Sequence, residues 1–491
     1  MKNTWIRKER LGWLLGGLIV LTATGFAQDL APLTGELLEE GVYQEETKGD
    51  LGAAIALYQQ VIESEQASRP RAAEAQYRLA ICYQKQGNTT LAVRSFEALV
   101  ENYPNQTQWV DAALGHLPKP FEPEFVPWVD GEITTMELRL PTGFVVGYVI
   151  YRTELINRDG RDLWRITNRS LAGGESITKV EIDPKTLKPV HGYMYSSQMD
   201  LGEISWWFEE DHVRLLYGED PEEKTVPLSS DVIDNLQAHY LMRQFPIEVG
   251  FSTEQTVFVG LSAAAVPIVL SIVALEELET PIGTFECAHV EIEIAGTTQH
   301  FWTTTDDSRK LVRFKAGGVE AIVTRSDVVS PGDEQIYRND SIGFEADLPA
   351  SWGVFDRSDP EKAAERARIE IRDPGVIGTW SIAATRLDPD DSDRTDLEEA
   401  REMVEKQIKG LTKKATDFVL DESSRSETQI TDGALVSFLG EAKMGSADVF
   451  VKKSVLHSRG VTLVFSLRCL ADDLVQQEAT FDRIVASARI D

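Results

Sequence analysis

In the stretch "FECAHVEIEI" a thiol, an imidazole and a carboxylate recur at every second residue: Cys287, His289 and Glu291. A strand turns alternate residues to one face, so this row would present three ligand types side by side. That is the inventory of a divalent-metal site. Structural zinc takes four protein ligands, and catalytic zinc takes three plus water. No second pair at ligand spacing follows, and His300 stands on the next strand at best. The row is therefore read as the outward face of a strand that also carries Glu293. Ala288, Val290, Ile292 and Ile294 form its inward face, and no metal or cofactor is assigned.

A second candidate is "DPDDSDRTDLEE". Counted from Asp388, oxygens at Asp390, Ser392, Asp396 and Glu399 follow the spacing of a calcium loop. However, Asp393 holds the position that needs glycine, and Pro389 holds the second. Thr395 with Glu398 three residues on is better read as a helix capping box. Acids there also suit the positive end of a helix dipole. The chain has no nucleophile elbow, phosphate loop or His-Glu-x-x-His motif. Its seven histidines are scattered singly. Cys82, Cys287 and Cys469 lie in unlike segments, so each is expected as a small buried apolar residue rather than part of a disulfide framework. The expectation is a protein without catalytic residues, not an enzyme.

The elements that must position these residues begin after a leader. "KNTWIRKER" is basic and "LGWLLGGLIVLTATGFA" is apolar, with Gly25 and Ala27 placed for a cut before Gln28. Residues 1–27 read as a signal peptide, directing the chain to the periplasm or outside a bacterial cell. No cysteine near the cut offers a lipid anchor. The net charge of −31 over 491 residues repels nucleic acid. Once the basic leader is removed, the balance also disfavours anionic membrane surfaces.

Residues 28–117 carry helical repeats. Leu79, Ala80, Tyr83, Gly87, Ala92, Phe96 and Pro104 meet the 34-residue tetratricopeptide pattern, and Gly49, Ala54 and Tyr58 repeat part of it upstream. The earlier repeat's first helix, near Leu37 to Glu46, fits poorly. "TQWVDAALGHL" would cap the stack. This stretch resembles the tetratricopeptide repeats of exported bacterial proteins of the Tol–Pal-associated type. The resemblance implies a concave face made by Glu74, Tyr77, Ile81, Gln84 and Lys85, with an envelope protein or peptide as partner.

Residues 118–128, "PKPFEPEFVPW", read as a stiff extended linker. Residues 129–327 alternate in short β-type runs, with one helix expected in "SSDVIDNLQAHYLMRQFP". The charge-free run "VFVGLSAAAVPIVLSIVAL" is interrupted by Pro267. It reads as a loop and then a strand apolar on both faces, either buried in a core or lining an apolar cavity. "TPIGTFECAHVEI", "HFWTTTDDSRKLVRF" and Gly317–Gly318 resemble an uncharacterised family of exported bacterial β proteins. That family is similar to the lipoprotein-carrier fold, a curved antiparallel half-barrel around a helix, which implies hydrophobic ligands.

Residues 328–336 form a second joint. In residues 337–491, "GFEADLPASW" and "FDRIVASARI" bracket an α/β sandwich that resembles the PsbP-like extrinsic proteins of photosystem II. The fold class expected is thus multi-domain α + β. The function expected is an envelope scaffold for protein binding, and the alternative is a carrier of a lipid or other hydrophobic ligand in the middle region.

Overall fold

The computed structural model describes residues 34–117, 121, 123, 125–197, 202–218, 223–228, 232–294, 296–386, 394–414, 417–444 and 447–491. The leader and most of the acidic loop before Thr395 lie outside these residues.

The chain starts with helices α1 (Thr34–Val42), α2 (Leu51–Glu63), α3 (Arg69–Lys85), α4 (Thr89–Asn102) and α5 (Thr107–Leu114). Asp50 and Asn88 cap α2 and α4 by accepting from Ala53 N and Leu91 N at 3.0 and 3.1 Å. The segment that fitted the repeat poorly is helical after all. It departs from the pattern because α1 runs into a wider π turn, Tyr43–Lys48. Helix α3 lies between two clusters. Ala75 and Leu79 pack with Leu38, Ala54 and Tyr58, while Ala73 and Ala80 pack with Ala92, Phe96 and Ala113. Small residues on two sides of one helix let both neighbours approach closely.

The middle region is one antiparallel sheet of fifteen strands, with a single parallel pairing at its edge. The first meander is β1 (Glu132–Arg139), β2 (Val145–Arg158), β3 (Arg161–Ala172), β4 (Ser176–Ile182), β5 (Pro189–Ser196), β6 (Glu203–Phe208), β7 (His212–Tyr217) and β8 (Lys224–Pro227). After β9 (Val232–Asp234) and helix α6 (Asn235–Leu241), the second comprises β10 (Ser252–Val259), β11 (Ala264–Thr280), β12 (Gly283–Ile294), β13 (Thr297–Thr304), β14 (Leu311–Ala316) and β15 (Val319–Val328). The two join where β1 pairs with β15.

Helix α6 is gripped from both meanders. Its Leu236, Tyr240 and Leu241, with Phe245 beyond, share one core with Met136, Tyr151, Ile166 and Val180 on one side. Leu270, Ile272, Val290 and Phe301 complete it on the other. The far strands meet as well. Trp206 of β6 clusters with Phe258 of β10, and its Nε1 donates to Asp234 Oδ2 at 2.9 Å. Gly192 and Gly260 make room: a Cβ on either would fall 2.1 or 2.6 Å from the Trp206 ring.

Two expectations change here. The joint at 118–128 does not stay free along its length, because Phe121, Val126 and Trp128 pack into the α6 core. The Phe121 ring meets Phe245 edge-on, with centroids 5.0 Å apart. The apolar run is nearly all strand, and its loop is only the turn at 260–263. Pro267 is tolerated because it pairs with Thr256 on one side, while β12 pairing begins at Ile268.

The last region holds a small sheet of β16 (Glu334–Asn339), β17 (Phe344–Pro349) and β25 (Arg489–Ile490). Its seven-stranded sheet runs β18 (Gly353–Asp356), β19 (Arg366–Arg372), β20 (Gly378–Arg386), β24 (Val461–Leu470), β23 (Ala447–Ser458), β22 (Gly433–Met444) and β21 (Val419–Ile430). Along β24, Val464 joins the cluster under α7 (Asp396–Lys414). Leu463, Phe465 and Leu467 join Phe481 and Ile484 of α8 (Leu474–Ser487). Strand alternation thus puts the helices on opposite faces. The capping box forms as read: Glu398 Oε2 accepts from Thr395 N at 2.9 Å, and Glu398 N donates to Thr395 Oγ1 at 3.4 Å.

The two β regions interlock at Arg169, which is fully buried on β3. Its guanidinium donates to the carbonyls of Asp373, Val376 and Gly378 and to Glu175. Burial, and then the Arg372 charge, lower its pKa to about 9, which still leaves it cationic at neutral pH.

Arg243 follows α6 and is 3% exposed. It makes a bidentate pair with Glu132 at 2.7 and 3.0 Å and donates to the carbonyls of Ser308 and Arg309 at 2.9 Å each. Arg243→Ala should cost about 3–5 kcal/mol in urea unfolding, because Glu132 is left buried and uncompensated. The double change to Met at both positions should recover much of that loss.

Asp234 gives a pH signature. Complete burial pushes its carboxyl up to about 7, against the pull of Leu236 N and Trp206 Nε1. The unfolded chain releases this proton near ~4. Between those values the folded state binds more protons, so this group's stabilisation falls as pH rises from about 4 to 7. Thermal melts should show wild type losing stability relative to Asp234→Asn across that window, by at most about 4 kcal/mol.

Candidate functional site

The α3 face divides into three parts. Tyr77 is held against Phe96 and Trp109, with ring centroids at 5.7 and 5.3 Å, and its hydroxyl lies 3.3 Å from His116 Nε2. Ile81 packs on the same cluster. Both are therefore substantially engaged in holding α5. Glu74 and Lys85 belong instead to a charge network. Glu74 accepts from Arg78 Nε at 3.2 Å, and Lys85 Nζ lies 2.8 Å from Glu45 Oε1. The Glu45 carboxylate is buried and also accepts from Tyr58 at 2.7 Å. Burial pushes Glu45 up, but the Lys85 and Tyr58 hydrogen bonds outweigh it and hold the group below its usual value. Gln84 points to solvent beside the half-buried Ile81. The five residues share an arc of α3, but only its Gln84 end is open.

A second constellation lies on the outer face of β12 and β13. Their register sets Glu291 opposite His300, and His289 opposite Trp302. His289 Nε2 lies 3.1 Å from His300 Nδ1, and Glu291 Oε1 lies 3.4 Å from the same nitrogen. One donor atom from each of the three falls within 4.8 Å of the others, and all three side chains are half-buried. His289 stacks on Trp302, with centroids 4.4 Å apart and planes 14° apart. Its Nδ1 faces Glu276 Oε1 of β11 at 3.7 Å, and Trp302 Nε1 donates to that same oxygen. Burial, and next the neighbouring His300, hold His289 below the ordinary imidazole value. On β14, Arg313 and Lys315 are both engaged by Glu320. His300, Lys315 and Glu320 also line an open pocket of about 450 Å³ with Pro141, Thr298 and Gly318.

This corrects the sequence reading of the row. Cys287 is fully buried, with its thiol 3.6 Å from the Phe285 carbonyl, and is not among the donors that converge. Glu293 is buried too. The third donor is His300, brought in by the cross-strand register. The tight turn between Ile294 and Thr297 was the available signal: counting outward from it pairs 291 with 300. Cys82, Cys287 and Cys469 are all buried, and burial pushes each thiol up to about 12. They carry no appreciable thiolate at neutral pH.

Comparison with protein families matches residues 74–105 to the tetratricopeptide repeat. Residues 133–318 match the family described as protein of unknown function DUF3108. The two matches fall on the α3–α4 hairpin and on the fifteen-stranded sheet. Among solved structures, the cyanobacterial PsbP of Synechocystis sp. PCC 6803 is similar at 16% identity over 34% of this chain and 96% of its own, with a TM-score of 0.27. A β-barrel-like DUF1849 protein of Brucella abortus is similar at 11% identity over 41% and 100%, with a TM-score of 0.29. LpqN, involved in cell envelope biogenesis of Mycobacterium tuberculosis, is similar at 14% identity over 32% and 90%, with a TM-score of 0.23. A search of curated proteins found no match. Among the described residues no helix is long and apolar enough to cross a membrane.

Proposed function

We propose that this chain is an exported, non-catalytic scaffold of the bacterial envelope. Its repeats dock a protein or peptide partner along the open end of α3. One observation carries the reading: the tetratricopeptide match coincides with a folded α3–α4 hairpin on which Gln84, at the open end of the α3 arc, is exposed. The leader-like start supports export. The high-pKa buried thiols support a role without nucleophilic chemistry. The β regions, locked through Arg169, would act as a rigid base for the repeats.

The carrier alternative has less behind it. Ile268, Leu270 and Ile272, the strand residues that could line an apolar cavity, pack directly on the α6 core.

A photoreactive residue at position 84 tests the docking face. It should give one discrete adduct in envelope preparations, at a yield at least about fivefold above that of the same probe at Glu63, the difference expected of one central interface contact. Equal yield from a probe at Glu63, exposed at the end of α2, would overturn the assignment.

A further inference from the structure

We propose that His289, Glu291 and His300 form a site for a divalent metal ion of the zinc class. The inference stands apart from the docking face, because the residues lie on β12 and β13 and not on α3.

Donor spacing is the first argument. Two ligand atoms bound to a tetrahedral ion at 2.0–2.1 Å sit about 3.3 Å apart. Two of the three observed separations, 3.1 Å between the imidazole nitrogens and 3.4 Å from His300 to the carboxylate, bracket that edge, and all three donors lie within 4.8 Å of one another. An ion would replace the hydrogen bond between the two rings. Two imidazoles and one carboxylate suit zinc and its neighbours in the first transition row. A fourth position remains for water or a ligand.

Support around the donors is the second argument. His289 is fixed by stacking on Trp302, and its Nδ1 lies 3.7 Å from Glu276 Oε1, near enough for that carboxylate to close onto the ring and orient it once the other nitrogen ligates. All donors stand on paired strands rather than loops, which holds them close to fixed positions. The charged groups that face the cluster are Glu276 on β11, Glu291 on β12, and Arg313, Lys315 and Glu320 on β14 and β15. Glu320 engages both basic side chains, so the local balance stays negative with a carboxylate pointing at the donors. His300 also lines the open pocket beside Gly318, so an ion held there would be reachable by a small anionic or polar ligand.

The test uses the purified full chain, stripped with chelator and titrated calorimetrically with Zn²⁺ in excess Mg²⁺, which occupies scattered surface acids. One tight equivalent is expected. His289→Ala and His300→Asn should each weaken it by at least 10- to 100-fold, and Glu276→Gln, acting only through His289, by about 10-fold. Co²⁺ substitution should give a tetrahedral visible band that His300→Asn abolishes. Circular dichroism of each variant checks folding, and these outward side chains leave the α6 core intact. The proposal is overturned if wild type binds no more Zn²⁺ than the His289→Ala/His300→Asn double variant, or if the Co²⁺ band survives that double change.

Discussion

Everything in the middle region turns on one buried ion pair. A guanidinium taken out of water is costly unless oxygen surrounds it. Arg243 meets that demand with both oxygens of Glu132 and with two carbonyls of the β13–β14 turn. Glu132 opens β1, the strand that joins the two meanders. Arg243 follows the helix that both meanders enclose. The pair therefore pins the enclosed helix to the seam of the sheet that encloses it. Nearby, Thr153 Oγ1 lies 2.8 Å from Tyr240 OH, satisfying a second buried polar group on the same helix.

From that pin the rest of the architecture follows. A fifteen-stranded sheet cannot leave a broad apolar face in water, and α6 covers it. The sheet is long enough that its far strands also reach the start of the helix, where Trp206 donates to Asp234. The first strands of the same sheet then offer Arg169 to a loop of the last region, whose carbonyls take up its charge. The buried arginines thus act as joints, each tying elements that are far apart in sequence. Such joints favour a stiff platform over a hinged one, in keeping with a scaffold.

The repeats are built differently. Their contacts are local, between successive helices, and small alanines rather than ion pairs set the spacing. Glu45 is the exception. It sits in the π turn that departs from the repeat pattern, and it gathers Tyr58, Arg78 and Lys85. The departure and the charge network are one feature. The same network engages Lys85 and Glu74 and leaves Gln84 as the open end of the α3 arc.

Local physics was legible in the amino-acid order. The α3–α4 hairpin, the Thr395–Glu398 cap and the inward row Ala288, Val290 and Ile292 each depend on neighbours within a few residues, and each stands where spacing put it. The tertiary structure decided what depends on pairing between distant segments. Strand β21, polar from Asp421 to Gln429, exists because β22 offers it an edge, not because its own pattern demands it. Cys287 and Glu293 became buried while His289 and Glu291, in the same row, stayed half-open. His300 came to Glu291 through the β12–β13 register alone. Alternation along a strand determines which residues share a face; only the partner strand's register determines what lies across from them.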